Sequence, residues 1–532
     1  MMSKKSINPG KARSIPTAGP DRQGAPEQNK DVRNILYPVI IILLYLVVYA
    51  FIFDSKIDFN GDNASYFTLG KALSSGHGYV NIAHIEMSPE NHFPPGYPFL
   101  ISVVLSVFGE SIMAVKLFDG LYIVSSIILI YFIAARITDN KTLAFAISVL
   151  LALNSHILLY SHLMMSEPAF NLMSTLTLWM IMNIRDDKGI FSQPALYVSI
   201  VALGISYYIR STGLALFGGI FLWFLIKKNW KAVAFYTAGF FMFALPWYLR
   251  GQKLGGSSYI KPLVMINPYR PDLGNASLPD YIARLTSNIS RYIAREIPNS
   301  SFPFIKVNYV NEISLQEWVL GLIILGIIVF GLIRLKKFRL LIMAYLLATF
   351  GILFMWPEVW TGVRFILPVM PLLLISVLFG FYELYTIITQ KAGFKTTLSP
   401  FVFLFLALFN INPVRDLHKR AVADYPANWK NYFEIAKWIK KQGFENAVVC
   451  CRKADLFYLY SDTFVYTYPY TENDQEIISE LKDNKVTHVV LDNLGYRQTY
   501  AYLLPAIQKN PEHFQTILKL SDPDTYLLKF NP

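Results

Sequence analysis

Seven ionisable residues stand at the ends of long apolar runs: Lys116, Asp119, Glu167, Arg210, Arg250, Glu358 and Arg364. Asp62 follows the first of those runs, and the midspan positions are nearly free of charge. A carboxylate at a membrane surface can take a proton from a hydroxyl. Asp62 can equally cap a helix by accepting the amide hydrogens of Ala64 or Ser65. Glu167, directly before Pro168, also suits the first turn of a helix, where the dipole is positive. Guanidinium groups fork onto phosphate oxygens, or snorkel to lipid headgroups. A transporter is expected to place ionisable groups or broken helices near the bilayer midplane; this layout builds a polar site at one leaflet instead.

The element that must present Asp62 is the stretch 60–99. Gly61-Asp62 opens a candidate helix ending near Gly76, with Tyr66, Leu69 and Leu73 on one stripe, so that it can lie on a membrane surface. A second short helix starts at Pro94-Pro95 and carries Phe99, Val103 and Val107 on one face. Gly76, Gly78, Pro89 and His92 make the connection turn-rich.

The rest of the chain reads as scaffold. Of 532 residues, 54% are hydrophobic and 16% charged, too apolar for an ordinary soluble protein. The net charge of +12 sits largely in short loops beside apolar runs, which reads as membrane topology and not as nucleic-acid binding. The fold expected is an α-helical polytopic membrane protein of about eleven transmembrane helices: 35–53, 112–134, 142–159, 168–184, 196–209, 213–226, 233–247, 318–333, 340–355, 365–385 and 398–411. The first run is read as an uncleaved anchor. The run 95–108 is short for a crossing and is read as interfacial. Skipping it puts the basic groups at Arg136/Lys141, Arg185/Lys188, Lys227/Lys228/Lys231, Arg334/Lys336/Lys337/Arg339 and Lys391/Lys395 on the side of the amino terminus.

The domains expected are a disordered basic cytoplasmic tail over 1–33, a transmembrane domain over 34–411, and a soluble extracytoplasmic α/β domain over 412–532. Within the membrane domain, 54–111 forms a first external loop with amphipathic helices, and 251–316 a second large one. The protein then lies in the plasma or inner membrane, amino terminus inside and terminal domain outside. Apolar clusters at 447–450, 487–491 and 526–530 suggest strands. Cys450 and Cys451 are the only cysteines and read as two small side chains on one strand, pointing to opposite faces. Eight scattered histidines and two adjacent cysteines offer no zinc spacing. Neither G-x-x-x-x-G-K-[ST] nor G-x-G-x-x-G occurs, so nucleotide binding has no support.

The order of these features carries a resemblance. Asp62 after the first span, the aromatic-rich helix, Ser75-Gly-His-Gly-Tyr79 and Pro94-Pro-Gly-Tyr-Pro98 resemble the first external loop of the C-type glycosyltransferase superfamily, which includes protein O-mannosyltransferases and the aminoarabinose transferases of lipid A. Glu167 resembles the acidic residue at the start of that superfamily's fourth transmembrane helix. Arg210 (Arg-Ser-Thr-Gly213), Arg250 (Pro246-Trp-Tyr-Leu-Arg) and Arg364 (Arg-Phe-Ile-Leu-Pro368) resemble three of its arginine positions. The resembling set covers roughly residues 35 to 371.

The resemblance implies a sugar transferred from a polyprenyl-phosphate donor to an extracytoplasmic acceptor, protein, lipid or glycan, with inversion. Asp62 is then the catalytic base and Glu167 positions the acceptor or a divalent cation. Arg364 first, then Arg250 and Arg210, hold the donor phosphate, while His92, Tyr97 and Glu358 position the acceptor or the loop. Where the aminoarabinose transferases carry a Glu-Lys pair before Pro-Pro, Asn91, His92 and Phe93 stand here. That departure argues against an aminoarabinose donor and leaves metal dependence open. A lipid or oligosaccharide flippase or transporter is the alternative from another class; a polysaccharide polymerase or ligase would share the donor chemistry.

Overall fold

The apolar runs of the sequence form helices in the computed structural model, which describes residues 28–255, 260–270, 273–393, 398–444 and 446–532. Residues 1–27, most of the predicted tail, lie outside the described residues, and the first helix already starts at Gln28. In chain order the first ten helices are α1 (Gln28–Ile52), α2 (Asp62–Ser74), α3 (Gly96–Phe108), α4 (Ile112–Thr138), α5 (Lys141–Ala152), α6 (Ser155–Tyr160), α7 (Glu167–Met182), α8 (Pro194–Ile209), α9 (Gly213–Ile226) and α10 (Trp230–Lys253). They are followed by α11 (Ile260–Val264), α12 (Leu278–Arg291), α13 (Ile297–Ser301), α14 (Leu315–Arg334), α15 (Arg339–Phe354), α16 (Met370–Lys391), α17 (Leu406–Phe409) and α18 (Ile411–Val422).

The chain is a multi-pass membrane protein. Among the described residues, five helices are long and apolar enough to cross a bilayer, within α1, α4, α10, α14 and α16, and a bent pair starting at Pro400 would make a sixth. Each of the eleven runs read from sequence contains some helix, but the last, 398–411, is mostly a 3₁₀ stretch (Pro400–Phe405) leading into the four-residue α17, and several other helices are shorter than a full crossing. The sixteen residues of α15 rise about 24 Å at 1.5 Å per residue, against an apolar bilayer thickness of about 30 Å. The run 142–159 is broken after α5, where Asn154 caps the short α6 by accepting the amides of His156 and Ile157. The run expected from 365 opens as a 3₁₀ turn, Val363–Ile366, and α16 begins only at Met370, beyond Pro368. Proline disfavours helical geometry in the residue before it and so delays the start.

Glycines let helices meet backbone to backbone. A Cβ at Gly331 of α14 would collide with the Ser376 carbonyl of α16, and one at Gly219 of α9 with the Tyr345 backbone of α15. At one end of the bundle the basic turns touch one another: Arg136 donates to Asn183 at 2.8 Å, Lys227 pairs with Asp186 at 2.9 Å, and the Lys336 amide donates to the Ile137 carbonyl at 3.1 Å.

The first loop does not lie free on a surface. Tyr97, Ile101, Val104 and Leu105 of α3 are buried, mostly against α2, while Phe99, Val103 and Val107 stay exposed on the opposite face. The other side of α2, with Asn63, Ala64 and Phe67 buried, is covered by the terminal domain. That domain contains α19 (Ala427–Gln442), α20 (Ala454–Ser461), α21 (Asp474–Asp483) and α22 (Leu504–Lys509) around a five-stranded sheet. The strands are β1 (Val448–Cys450), β2 (Phe464–Tyr466), β3 (His488–Leu491), β4 (Phe514–Leu520) and β5 (Thr525–Phe530), in the order β2-β1-β3-β5-β4. β2, β1 and β3 run parallel; β5 and β4 close the edge antiparallel. The two cysteines are free and buried, Cys450 in the core on one side of the sheet and Cys451 in the core shared with the first loop. Across that shared core Phe59 stacks on Trp429 at 4.1 Å, the Ile57 amide donates to Tyr425 at 2.8 Å, and the Val465 amide donates to the Ala83 carbonyl at 2.8 Å.

Candidate functional site

Asp62 owes its position to its two neighbours. Gly61 has φ 98°, a left-handed value that a residue with a Cβ rarely adopts, and the helix starts immediately after it. Asn63 is fully buried and ties the turn together: its Oδ1 accepts from the Gly61 and Ala64 amides, and its Nδ2 donates to the Asp58 carbonyl. Asp62 itself makes no capping bond; its carboxylate Oδ2 accepts from Arg364 Nη2 at 2.9 Å. The capping alternative is thus taken by Asn63, and the Asp62 side chain, 33% exposed, is turned toward the bundle.

Glu167 is the first residue of α7 and its side chain is completely buried. The approach to it is bent by Met164, whose φ of 61° is unusual for a residue with a side chain. Its Oε1 receives two guanidinium groups, Arg364 Nε at 2.5 Å and Arg210 Nη1 at 2.6 Å. Arg210 ends α8 and also donates to Ser166 Oγ at 3.1 Å, which in turn lies 3.2 Å from the hydroxyl of Tyr66 on α2. Arg364 sits in the 3₁₀ turn after Gly362, which has φ 106°. Four elements far apart in sequence therefore deliver a closed chain of charges, Asp62–Arg364–Glu167–Arg210, with no net charge. A charge removed from water is expensive unless paired in this way.

The chain of charges leaves valences open. Among the described residues no hydrogen bond involves Arg364 Nη1 or Arg210 Nη2, and Arg210 Nε and Glu167 Oε2 are buried without a partner. Such unsatisfied groups are costly, and here they border the half-exposed carboxylate of Asp62.

The other residues singled out from sequence lie elsewhere. Arg250, in the last turn of α10, donates to the Glu90 carbonyl at 2.5 Å and packs over Trp247 and Tyr79, so it clamps the turn between Val80 and Pro89 onto α10. His92 is exposed and its ring packs edge-on to Phe93. Tyr97 is buried and donates to Asp119 Oδ2 at 2.8 Å, fixing α3 to α4. Lys116 likewise supports the loop by donating to the carbonyls of Asp54 and Lys56. Glu358 is exposed and offers its backbone carbonyl to Arg291 at 2.9 Å. As to a divalent cation, no three His, Cys, Asp or Glu side chains come together among the described residues. Asp62 and Glu167 hold a guanidinium between them, so this donor set fits arginine and not a metal.

Residues that sequence reading passed over come from the terminal domain. Arg452 and Lys453, just ahead of α20, line a cavity of about 290 Å³ with Asp62, Ser65 and His84 of the first loop. Lys453 Nζ donates to the Asn60 carbonyl at 3.0 Å, and Ser65 Oγ donates to Asp455. Enclosure and the neighbouring Arg452 hold the Lys453 ammonium below the usual lysine range. The only sequence signal was a basic pair after an apolar cluster, which is common on any surface.

Residues 92–248 match the sequence profile of the dolichyl-phosphate-mannose-protein mannosyltransferase family. That stretch contains His92, Tyr97, Glu167 and Arg210 and stops just before Arg250. No curated protein matches the chain by sequence. By structure it is similar to ArnT from Cupriavidus metallidurans bound to undecaprenyl phosphate, and to the same protein in the apo state. Each comparison gives a TM-score of 0.59 at 12% identity, covering 92% of this chain and 97% of that one. The mycobacterial arabinofuranosyltransferase AftD gives a TM-score of 0.44 at 10% identity, over 92% of this chain and 41% of that one.

Proposed function

We propose that this chain, which has the C-type glycosyltransferase fold, moves one sugar from a polyprenyl-phosphate donor to a hydroxyl of an extracytoplasmic acceptor, inverting the anomeric carbon. The observation that carries the reading is the chain of charges Asp62–Arg364–Glu167–Arg210 at the base of the first loop.

In the reaction Asp62 takes the acceptor proton as the hydroxyl oxygen bonds to the anomeric carbon, and the bond from that carbon to the phosphate oxygen breaks. The leaving lipid phosphate gains charge at that moment. Arg364 Nη1 and Arg210 Nη2 are the donors free to receive it, and guanidinium pairs such oxygens in a planar fork. Glu167 does not touch the sugar in this scheme; buried between the two arginines, it sets their spacing and spares them from facing each other unpaired. Arg250 acts at a distance, by holding the turn between Val80 and Pro89 that borders the site.

The domain division follows the same reading: a tail over 1–33, a membrane domain of eleven crossings over 34–411, and an extracytoplasmic domain over 412–532, with the amino terminus in the cytoplasm. The clustering of basic turns at the bundle end supports this orientation. The test is transfer by purified protein presented with a panel of polyprenyl-phosphate sugars and, in parallel, nucleotide sugars. Product from a polyprenyl-phosphate sugar, lost in Arg364→Ala, is expected. Efficient transfer from a soluble nucleotide sugar alone would refute it.

A further inference from the structure

The cavity beside Asp62 is lined from two sides only, the first loop and the terminal domain, and the apolar helices from α4 to α17 contribute nothing to it. A polyprenyl tail has no apolar route into it. The group that binds there is polar and faces the Asp62 carboxylate, 33% exposed.

Its terminal-domain wall holds two cations. Arg452 is sandwiched between Tyr496 at 4.8 Å and Tyr470 at 5.2 Å, ring contacts that fix its plane, and its Nε is buried without a hydrogen bond. Lys453 packs over Tyr496 at 5.1 Å and spends one of its three donors on the Asn60 carbonyl, next to Gly61 and Asp62. Among the described residues neither cation has a carboxylate within salt-bridge distance: Asp62 pairs with Arg364, and Asp455 accepts from Ser65. Two oriented cations with open donors, in a cavity large enough for a small polar headgroup, form an oxyanion site.

We propose that Arg452 and Lys453 bind a phosphate-class group on the acceptor, anchoring it so that a hydroxyl on the same molecule reaches Asp62. This rests on the reading of Asp62 as the base that deprotonates the acceptor. It gives the terminal domain a role in choosing acceptors that carry negative charge, and it separates the two phosphates of the reaction. The donor phosphate belongs to Arg364 and Arg210 on the membrane side, the acceptor group to Arg452 and Lys453 above.

The test is a calorimetric titration of the purified full-length protein in detergent with glycerol 3-phosphate and, separately, with phosphatidylglycerol in mixed micelles. Saturable binding of either compound is expected, weakened tenfold or more in Arg452→Gln/Lys453→Gln, with polyprenyl-phosphate affinity unchanged within twofold. Binding of the soluble compound alone identifies a free phosphate acceptor; binding of the lipid alone identifies a headgroup. Absence of saturable binding, equal binding in the double variant, or a matching fall in polyprenyl-phosphate affinity overturns the proposal. Should the double variant lose its melting transition, Arg452→Gln alone, which breaks no side-chain hydrogen bond among the described residues, carries the comparison. The titration needs no turnover. A failed titration with sugar transfer intact removes only this subsite, and an intact titration without transfer removes the function and leaves the anion site.

Discussion

Arg364→Ala asks whether the guanidinium between Asp62 and Glu167 serves chemistry or only folding. The wild-type side chain makes two charge-assisted bonds, at 2.5 Å to Glu167 and 2.9 Å to Asp62. Removing one partner of a buried pair typically costs about 3–5 kcal/mol. Glu167 retains Arg210 at 2.6 Å, so the loss here falls below that range, at roughly 2 kcal/mol, the size of one charged hydrogen bond. Loss of one preorganised donor to developing charge costs about 2.7–4 kcal/mol of transition-state stabilisation, or about 100- to 1000-fold in kcat. The two effects are read apart on one variant. Glu167→Gln added to Arg364→Ala would leave Arg210 without its partner at 2.6 Å and lower stability further, so the two effects are separated by reading turnover at temperatures where Arg364→Ala is still fully folded. Arg364→Lys restores one point charge but not the planar fork, and recovers turnover in part. The assay is transfer from a polyprenyl-phosphate sugar in detergent at matched protein, with melting followed on the same samples. Near wild-type turnover by Arg364→Ala at temperatures where it remains fully folded would show Arg364 to be a structural clamp and refute the reasoning.

Three further outcomes are expected. Asp62→Asn keeps the side-chain shape and an oxygen for Arg364 but no proton acceptor, so the protein inserts normally and turnover falls by roughly 100-fold or more; near wild-type transfer would demote the residue. Single cysteines at the exposed positions Lys306 and Arg339 should be labelled by an impermeant thiol reagent at 306 only, because 339 lies among the basic turns; Cys450 and Cys451 are buried and give little background. Enclosure between loop and terminal domain raises the carboxyl of Asp455 above its ordinary range, offset in part by the Ser65 hydrogen bond. The folded state therefore holds this proton to higher pH than the unfolded chain. The contribution of Asp455 to stability is greatest below the ordinary carboxylate pKa of about 4 and is lost as pH rises through the raised value. Asp455→Asn should flatten that dependence, so its melting temperature gains on wild type between pH 4 and pH 7; parallel melting curves across that range would contradict it.

Much of the scaffold was legible because helices in a membrane announce themselves by uninterrupted apolar length, and most of the apolar runs do fall on α-helix. The ends were less legible. The start of α16 shifted because Pro368 acts locally, and the run 142–159 broke because Asn154 stops one helix and caps the next. In the terminal domain β1, β3 and β5 coincide with apolar clusters. β2 is a short Phe-Val-Tyr stretch between Thr463 and Thr467, and β4 mixes Gln515, Thr516 and Lys519 with its apolar residues at the sheet edge, so neither stood out as a cluster.

The site was legible to the extent that its residues stand beside spans. Asp62, Glu167, Arg210 and Arg364 each follow or precede an apolar helix, and charge there is rare enough to notice. What could not be read is which of them meet. Arg250 stands in a similar position at the end of α10 and yet turns to backbone carbonyls, because the turn over residues 79–90 reaches its guanidinium before any carboxylate does. Asn63 escaped attention because a buried asparagine that ties a turn looks, in sequence, like any polar residue of a loop. Arg452 and Lys453 lie about 390 positions beyond Asp62 in an ordinary charged segment. Only the packing of the terminal domain on α2 gives them a neighbour in the reaction, and from this follows a mechanical consequence. If Arg452 and Lys453 act on the acceptor, a substitution that loosens the docking without touching a charge, such as Trp429→Ala under Phe59, should weaken binding of the phosphate probe while leaving polyprenyl-phosphate binding intact. Burial of an aromatic side chain such as Trp429 is worth several kcal/mol, enough to shift a docking equilibrium between two parts of one chain. Equal weakening of both ligands would instead mean that the loop itself had lost its fold, and the two measured affinities tell these outcomes apart.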